Sequence, residues 1–133
     1  MKISTRSRYG LKAMAYLALQ NKCCSVKEIS DVEKIPFEYL EKIFSQLKKC
    51  NLVNVKRGVQ GGYILNREPK NIAVGEIFES LEGKFTPVKC IDGNFNCPDS
   101  HQCLTQKMWK KIQDGFIATL NSISLASLIS NND

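Results

Sequence analysis

Histidine and tryptophan are nearly absent: the 133 residues include one of each. A single imidazole leaves little room for nucleophile–base pairing. No two cysteines form a C-x-x-C pair, so the usual signature of a thiol-redox enzyme is missing as well. We therefore expect no enzyme. No apolar run approaches the ~20 residues that a bilayer-spanning helix requires. The opening MKISTRSRYG lacks the apolar core of a secretory signal. Neither a membrane protein nor an exported one is expected, and the expected location is the cytoplasm. No internal repeat or low-complexity linker breaks the chain. What remains is 43% hydrophobic and 24% charged, the mix of one folded domain with at most a small appendage.

The charge is uneven. The net charge is +6, yet residues 1–70 carry 14 Lys+Arg against 6 Asp+Glu, and residues 71–133 carry 5 against 7. A basic N-terminal half suits a polyanion, with nucleic acid first in line. A merely solvated basic surface is the plainer alternative.

Helical spacing organises the first half. Ser4, Thr5 and Ser7 offer N-caps, and Leu11, Met14, Leu17 and Ala18 recur on one face to about residue 20. Asn21, Lys22, Cys23 and Cys24 read as a turn. Ser25-Val26-Lys27-Glu28 has the form of a capping box and opens a short helix to about residue 33. Pro36 suits the first turn of a third helix, on which Leu40, Ile43, Phe44 and Leu47 make one apolar stripe. That helix should end near Cys50-Asn51, with Asn51 as a left-handed cap. Val53 and Val55 then alternate in a strand, Gly58, Gly61 and Gly62 permit a turn, and Tyr63-Ile64-Leu65 returns. Three helices followed by a basic hairpin is the order of a winged helix-turn-helix, whose third helix enters the DNA major groove.

The second half predicts a short helix over residues 74–81, an irregular stretch over 83–103, and a long final helix. Trp109, Ile112, Phe116, Leu120 and Ile123 are spaced by three or four, and Ser124 caps a last turn through Leu128. So apolar a helix on so small a domain should pack on a second copy of the chain as a symmetric dimer. The alternative is burial against its own first helix. The fold class is thus mainly α with a small β-hairpin wing. Residues 1–83 form the winged helix-turn-helix DNA-binding domain. Residues 84–103 form a cysteine-bearing loop. Residues 104–133 form a dimerisation helix and tail.

Three of the six cysteines, Cys90, Cys97 and Cys103, fall in the irregular stretch with spacing C-x6-C-x5-C. Neither the C-x2-C pair of structural zinc nor the ferredoxin spacings match. Three soft thiolates on a loop that can wrap still suit iron and sulfide. Redox-active thiols and inert loop cysteines stay open as readings. Cys23, Cys24 and Cys50 read as small apolar residues.

Beyond these patterns, the chain resembles the IscR/NsrR/CymR-type family of bacterial winged-helix transcription regulators over about residues 1–130. The resemblance rests on Met1-Lys2-Ile3-Ser4-Thr5 with Arg8-Tyr9-Gly10 and Ala13-Met14, and on Tyr39-Leu40-Glu41 with Ile43-Phe44 and Leu47. Further on it rests on Arg57-Gly58 with Gly61-Gly62-Tyr63, on Ala73-Val74-Gly75-Glu76-Ile77, and on Cys103-Leu104-Thr105 with Trp109. The cysteine loop and the Cys-Leu-Thr-x-x-x-Trp stretch are most similar to the IscR branch. That resemblance implies a homodimeric repressor of iron–sulfur assembly genes that carries a 2Fe–2S cluster and binds double-stranded DNA. Cys90, Cys97 and Cys103 match the branch's three ligands, and assembly proteins are implied as cluster donors. The chain departs from the branch in two places. Gln106 stands where the branch has a histidine ligand, and a carboxamide is a poor substitute for imidazole. The first cysteine gap is one residue longer. His101, two residues before Cys103, is the candidate fourth ligand, with a carboxylate or a group from a partner's first helix as the other sources. As a plain loop histidine it would sit in solvent.

For a DNA-binding dimer of this kind, Lys2, Arg6, Arg8, Lys48, Lys49 and Lys56 are expected on phosphate. Glu38, Tyr39, Glu41 and Lys42, early in the third helix, are expected to face bases. In the branch, the residue matching Glu41 discriminates between site classes; an acid favoured by the helix dipole is the alternative reading. Arg57 and Gln60 are expected in the groove beside the wing, with a plain phosphate contact as the alternative for Arg57. Two rival readings lie within the family: a cluster-free CymR-like regulator of cysteine metabolism with an enzyme partner, and an NsrR-like nitric-oxide sensor with a 4Fe–4S cluster.

Overall fold

Serine side chains start three of the helices, and the same local chemistry is visible at each. In the computed structural model, which describes residues 3–92 and 103–130, Ser4 Oγ accepts from Ser7 N at the start of α1 (Thr5–Gln20). Ser25 Oγ accepts from Glu28 N at the start of α2 (Val26–Glu33), and α3 follows as Phe37–Lys49. Asn21, Lys34 and Asn51 all take positive φ and end these helices in the left-handed conformation. The hairpin is β1 (Val53–Lys56) antiparallel to β2 (Gly62–Leu65), with Val53 opposite Leu65 and Lys56 opposite Gly62. Then come a short 3-10 turn at Pro69–Asn71, α4 (Val74–Glu82), a second such turn at Lys89–Ile91, α5 (Gln106–Ser122) and α6 (Leu125–Ile129).

The apolar stripes of α1, α2 and α3 meet in one core. Met14, Leu17, Ile29, Leu40, Phe44 and Leu47 are all shut off from water, with Ile72, Ile77 and Leu125 closing it from the C-terminal side. Burying each such side chain contributes about 1.5–3 kcal/mol before entropy is counted. Gly10 lets α1 and α4 approach closely: a Cβ there would lie 2.3 Å from Leu81 Cδ1. The tail returns to this body. Val74 N donates to Ile123 O and Leu125 N to Ile72 O, both at 2.8 Å, and α6 packs on α1. The arrangement is a winged helix with α5 leaning on α4. Among the described residues no helix is long and apolar enough to cross a membrane.

Three local expectations shift. Pro36 is the N-cap of α3 rather than a residue of its first turn. Its ψ is 131°, and its carbonyl is the first acceptor, from Leu40 N at 3.0 Å. Val55 shares a face with Val53, yet Val53 is buried and Val55 is exposed, because the hairpin runs out beyond the body. Glu28 leaves the capping box for tertiary structure: its Oε2 accepts from Tyr16 Oη at 2.5 Å. That bond pushes the Tyr16 hydroxyl up to about 12.

Glu76 supplies a pH-dependent cap on α4. Its carboxylate accepts from Ala73 N at 2.9 Å and from Arg67 Nη2 at 2.9 Å. Burial pushes its carboxyl up, but these two donors prevail and hold it below the usual carboxylate range. A lowered folded-state pKa stabilises the fold above the unfolded value and loses that contribution as pH falls through the folded one. Glu76→Gln should therefore flatten the acid limb of the unfolding curve below about pH 4. Equilibrium unfolding read at several pH values checks it.

Candidate nucleic-acid interface and cysteine loop

Helix α3 buries Leu40, Ile43, Phe44 and Leu47 and leaves Glu38, Glu41, Lys42, Ser45, Lys48 and Lys49 exposed. Lys48 and Lys49 close the helix, where the backbone dipole favours cations, and Glu38 opens it, where the dipole favours an acid. Tyr39 is half-buried because its ring meets Tyr9 edge-on, with centroids 5.6 Å apart. Helix α2 joins α3 through Lys34-Ile35-Pro36, and Ser30 closes the turn by donating from its hydroxyl to Ile35 O at 2.5 Å.

The wing is tied to this unit at its root. Tyr63 on β2 stacks on Phe44 of α3, with centroids 4.5 Å apart and planes 12° apart. Its backbone exchanges two hydrogen bonds with Cys24 in the turn between α1 and α2, at 2.9 and 2.8 Å. The tip carries Lys56, Arg57, Val59 and Gln60, all exposed. Arg8 is exposed on α1. Arg6 has a structural partner: its Nη1 donates to Leu81 O at the end of α4, at 3.3 Å. Lys2 lies outside the described residues. Cys24 is buried, and burial followed by the neighbouring Glu28 carboxylate pushes its thiol up to about 11, so it packs as an inert apolar group.

The cysteine loop is anchored at both ends. Gln113, buried on α5, donates from Nε2 to Phe85 O at 2.8 Å, and Phe85 packs on Phe116 with centroids 4.1 Å apart. Cys90 sits half-buried in the 3-10 turn that touches α5. Cys103 is half-buried just before α5, its Sγ 3.3 Å from Thr105 Oγ1. Gln106, the first residue of α5, lines a groove of about 330 Å³ together with Cys90, Asp92, Lys107 and Lys110. Cys97 and His101 lie outside the described residues. Among the described residues, no three His, Cys, Asp or Glu side chains stand together as a metal site. The donor chemistry fits an iron–sulfur group: Cys90 and Cys103 offer two half-buried soft thiols beside the start of α5.

Met108 and Ile112 on α5, and Leu104 two residues before it, stand exposed, while Phe116 packs on Phe85. Of the apolar stripe read from the sequence, Ile112 is exposed, and Trp109, Phe116, Leu120 and Ile123 are half-buried. Two further residues emerge only from the structure. Asp92 joins the groove of Cys90; its place two residues after that cysteine was a usable sequence signal. Val59 stands at the wing tip, and an apolar residue between turn glycines was the signal there.

Residues 3–131 match the Rrf2 family, described as iron-dependent transcriptional regulators. The HTH-type transcriptional regulator IscR of Escherichia coli O1:K1 is 33% identical, over all of this chain and 83% of that protein. The structure of CymR, the global cysteine regulator of B. subtilis, has a TM-score of 0.80 at 35% identity, covering 100% of this chain and 99% of that one. The IscR of T. potens has a TM-score of 0.79 at 34% identity, covering 100% and 89%.

Proposed function

The chain belongs to the Rrf2 family of transcriptional regulators, and from that premise we propose that it is a homodimeric, DNA-binding repressor of iron–sulfur assembly genes governed by a 2Fe–2S cluster. The observation that carries the DNA reading is the joining of α3 and the basic wing through the Phe44–Tyr63 stack. One helix for the major groove and one hairpin beside it are thereby held in a fixed relation. Residues 1–83 are the DNA-binding domain, 84–103 the sensing loop, and 104–133 the dimerisation helix and tail. The exposed Met108 and Ile112 on α5, with Leu104 just before it, support a symmetric pairing of α5 with a second copy.

In this mechanism Lys2, Arg8, Lys48, Lys49 and Lys56 neutralise phosphates, and Glu38, Tyr39, Glu41 and Lys42 read base edges. Glutamate accepts from cytosine N4. Arg57 and Gln60 enter the groove beside the wing. Arg6, exposed on α1 with Nη1 on Leu81 O, is proposed on phosphate as well. Cys90, Cys97 and Cys103 would hold the cluster, which when bound supplies one-electron redox chemistry and sensitivity to oxidants. His101 is the proposed fourth ligand. Asp92 is the carboxylate that the Cys90 groove offers in its place. The loop connects α4 to α5, so its state reaches the DNA only if two states of α5 space the two α3 helices differently.

A second reading is favoured by Gln106 and by the likeness to CymR. In it the regulator works without a cluster and the loop cysteines are incidental.

Salt titration tests the DNA reading. Lys48→Ala and Lys49→Ala should each reduce the slope of log K against log salt by about 0.9, weakening all sequences alike. Glu41→Ala should leave that slope alone and relax preference at one base pair, worth about 1–3 kcal/mol. A wild-type slope near zero would sink the proposal.

A further inference from the structure

The wing tip breaks the local rule for turns. Gly61 N donates to Gly58 O at 3.0 Å, closing a turn whose two central residues are Val59 and Gln60. The turn is tight: a Cβ on Gly61 would lie 2.4 Å from Lys56 O. Central turn positions favour Gly, Asn, Asp, Pro or Ser, and a β-branched apolar residue gains nothing there. Val59 is 105% exposed, so it contributes nothing to the core. A side chain that defies the local preference without repaying it in packing marks a functional position.

Its surroundings point to the occupant. Residues 42–67 contain six Lys+Arg and no acidic residue. Lys56 and Arg57 lie immediately before the tip, both exposed. The wing root cannot swing freely, because Tyr63 is stacked on Phe44 and paired with Cys24. A rigid, purely basic hairpin presenting one apolar side chain matches a polyanion with an apolar recess. The minor groove of duplex DNA is such a recess: phosphates line its rims and sugar faces line its walls. Apolar side chains are used there by many DNA-binding proteins.

Resting on the DNA-binding reading above, we infer that Val59 is a specificity-determining residue that packs between the sugar walls of an A·T-rich minor groove flanking the α3 site, with Gln60 beside it. A·T pairs present only acceptors on that floor, whereas a G·C pair adds the guanine N2 amine, which occupies the space a valine methyl needs. A·T tracts also narrow the groove, improving contact with a small side chain and raising the attraction for Arg57. Val59 neutralises no phosphate, so its effect falls on sequence preference and leaves the salt dependence untouched.

The test uses the full chain and duplexes selected from a randomised pool. Three versions of the flank are compared by fluorescence anisotropy: A·T, G·C and inosine·C. Inosine·C keeps the G·C face in the major groove but lacks the N2 amine in the minor groove. Wild type should bind A·T and inosine·C flanks alike and G·C flanks about fivefold more weakly. Val59→Ala should bring all three within about twofold at the wild-type salt slope. Because Val59 makes no core contact, the variant should melt as wild type does. Unchanged flank preference in Val59→Ala, or inosine·C behaving as G·C, would overturn the inference while leaving the DNA reading intact. A wild type that selects no duplex would overturn both.

Discussion

Gly62→Ala should cost about 3 kcal/mol and lower the melting temperature by roughly 10 °C. Gly62 opens β2 with φ +152°, and a Cβ there would lie 2.1 Å from Cys24 O and 2.4 Å from the carbonyl carbon. Both atoms are backbone, so no rotamer change relieves the clash. The wing must separate from the α1–α2 turn, giving up the two Cys24–Tyr63 hydrogen bonds and disturbing the Phe44–Tyr63 stack. DNA affinity should fall with it, because the wing would lose its fixed relation to α3. Gly58→Ala is the matched control. Gly58 also has positive φ, +119°, but nothing lies within 4 Å of its missing Cβ. It should cost only about 1 kcal/mol of backbone strain. Thermal melts that show equal losses for the two would refute the packing argument at Gly62.

Phe44→Ala should be the most destabilising core truncation, at about 3–5 kcal/mol. Phe44 is fully buried, lies on the inner face of α3 and carries the ring of Tyr63. A loss of that size is a large part of the ~5–15 kcal/mol that a domain usually has. Phe44→Leu should recover much of the stability while weakening wing-dependent DNA binding, since it fills space without offering a ring face. Phe37, one residue into the same helix and 44% exposed, sets the scale of a surface change. Phe37→Ala should shift the urea midpoint far less. Comparable midpoints for Phe44→Ala and Phe37→Ala would contradict the burial assigned to α3.

Local chemistry made much of this fold legible. Ser4, Ser25 and Ser124 each cap the helix they announced, and the stripe of Leu40, Ile43, Phe44 and Leu47 is the buried face of α3. Asn51 ends α3 in the left-handed conformation, as its position after Cys50 suggested. Long-range partners were less visible. Nothing near Arg6 announces the carbonyl of Leu81, 75 residues away, and nothing near Glu28 announces the hydroxyl of Tyr16. Period-two alternation gave Val55 the same face as Val53 but carried no information on where the body ends beneath the hairpin. The cysteine spacing, likewise, showed three soft thiols on one irregular stretch and no fixed knuckle. The groove that Cys90, Asp92 and Gln106 share depends on how the 3-10 turn lies against α5, which is a tertiary fact.

Iron and acid-labile sulfide measured per chain after anaerobic purification, on wild type and Cys97→Ala, test the sensing account most directly. The account predicts about two irons and two sulfides per wild-type chain, with visible absorption, and their loss in Cys97→Ala. A colourless wild type without iron, even after anaerobic reconstitution, would contradict it and leave a winged-helix DNA binder of the cluster-free kind.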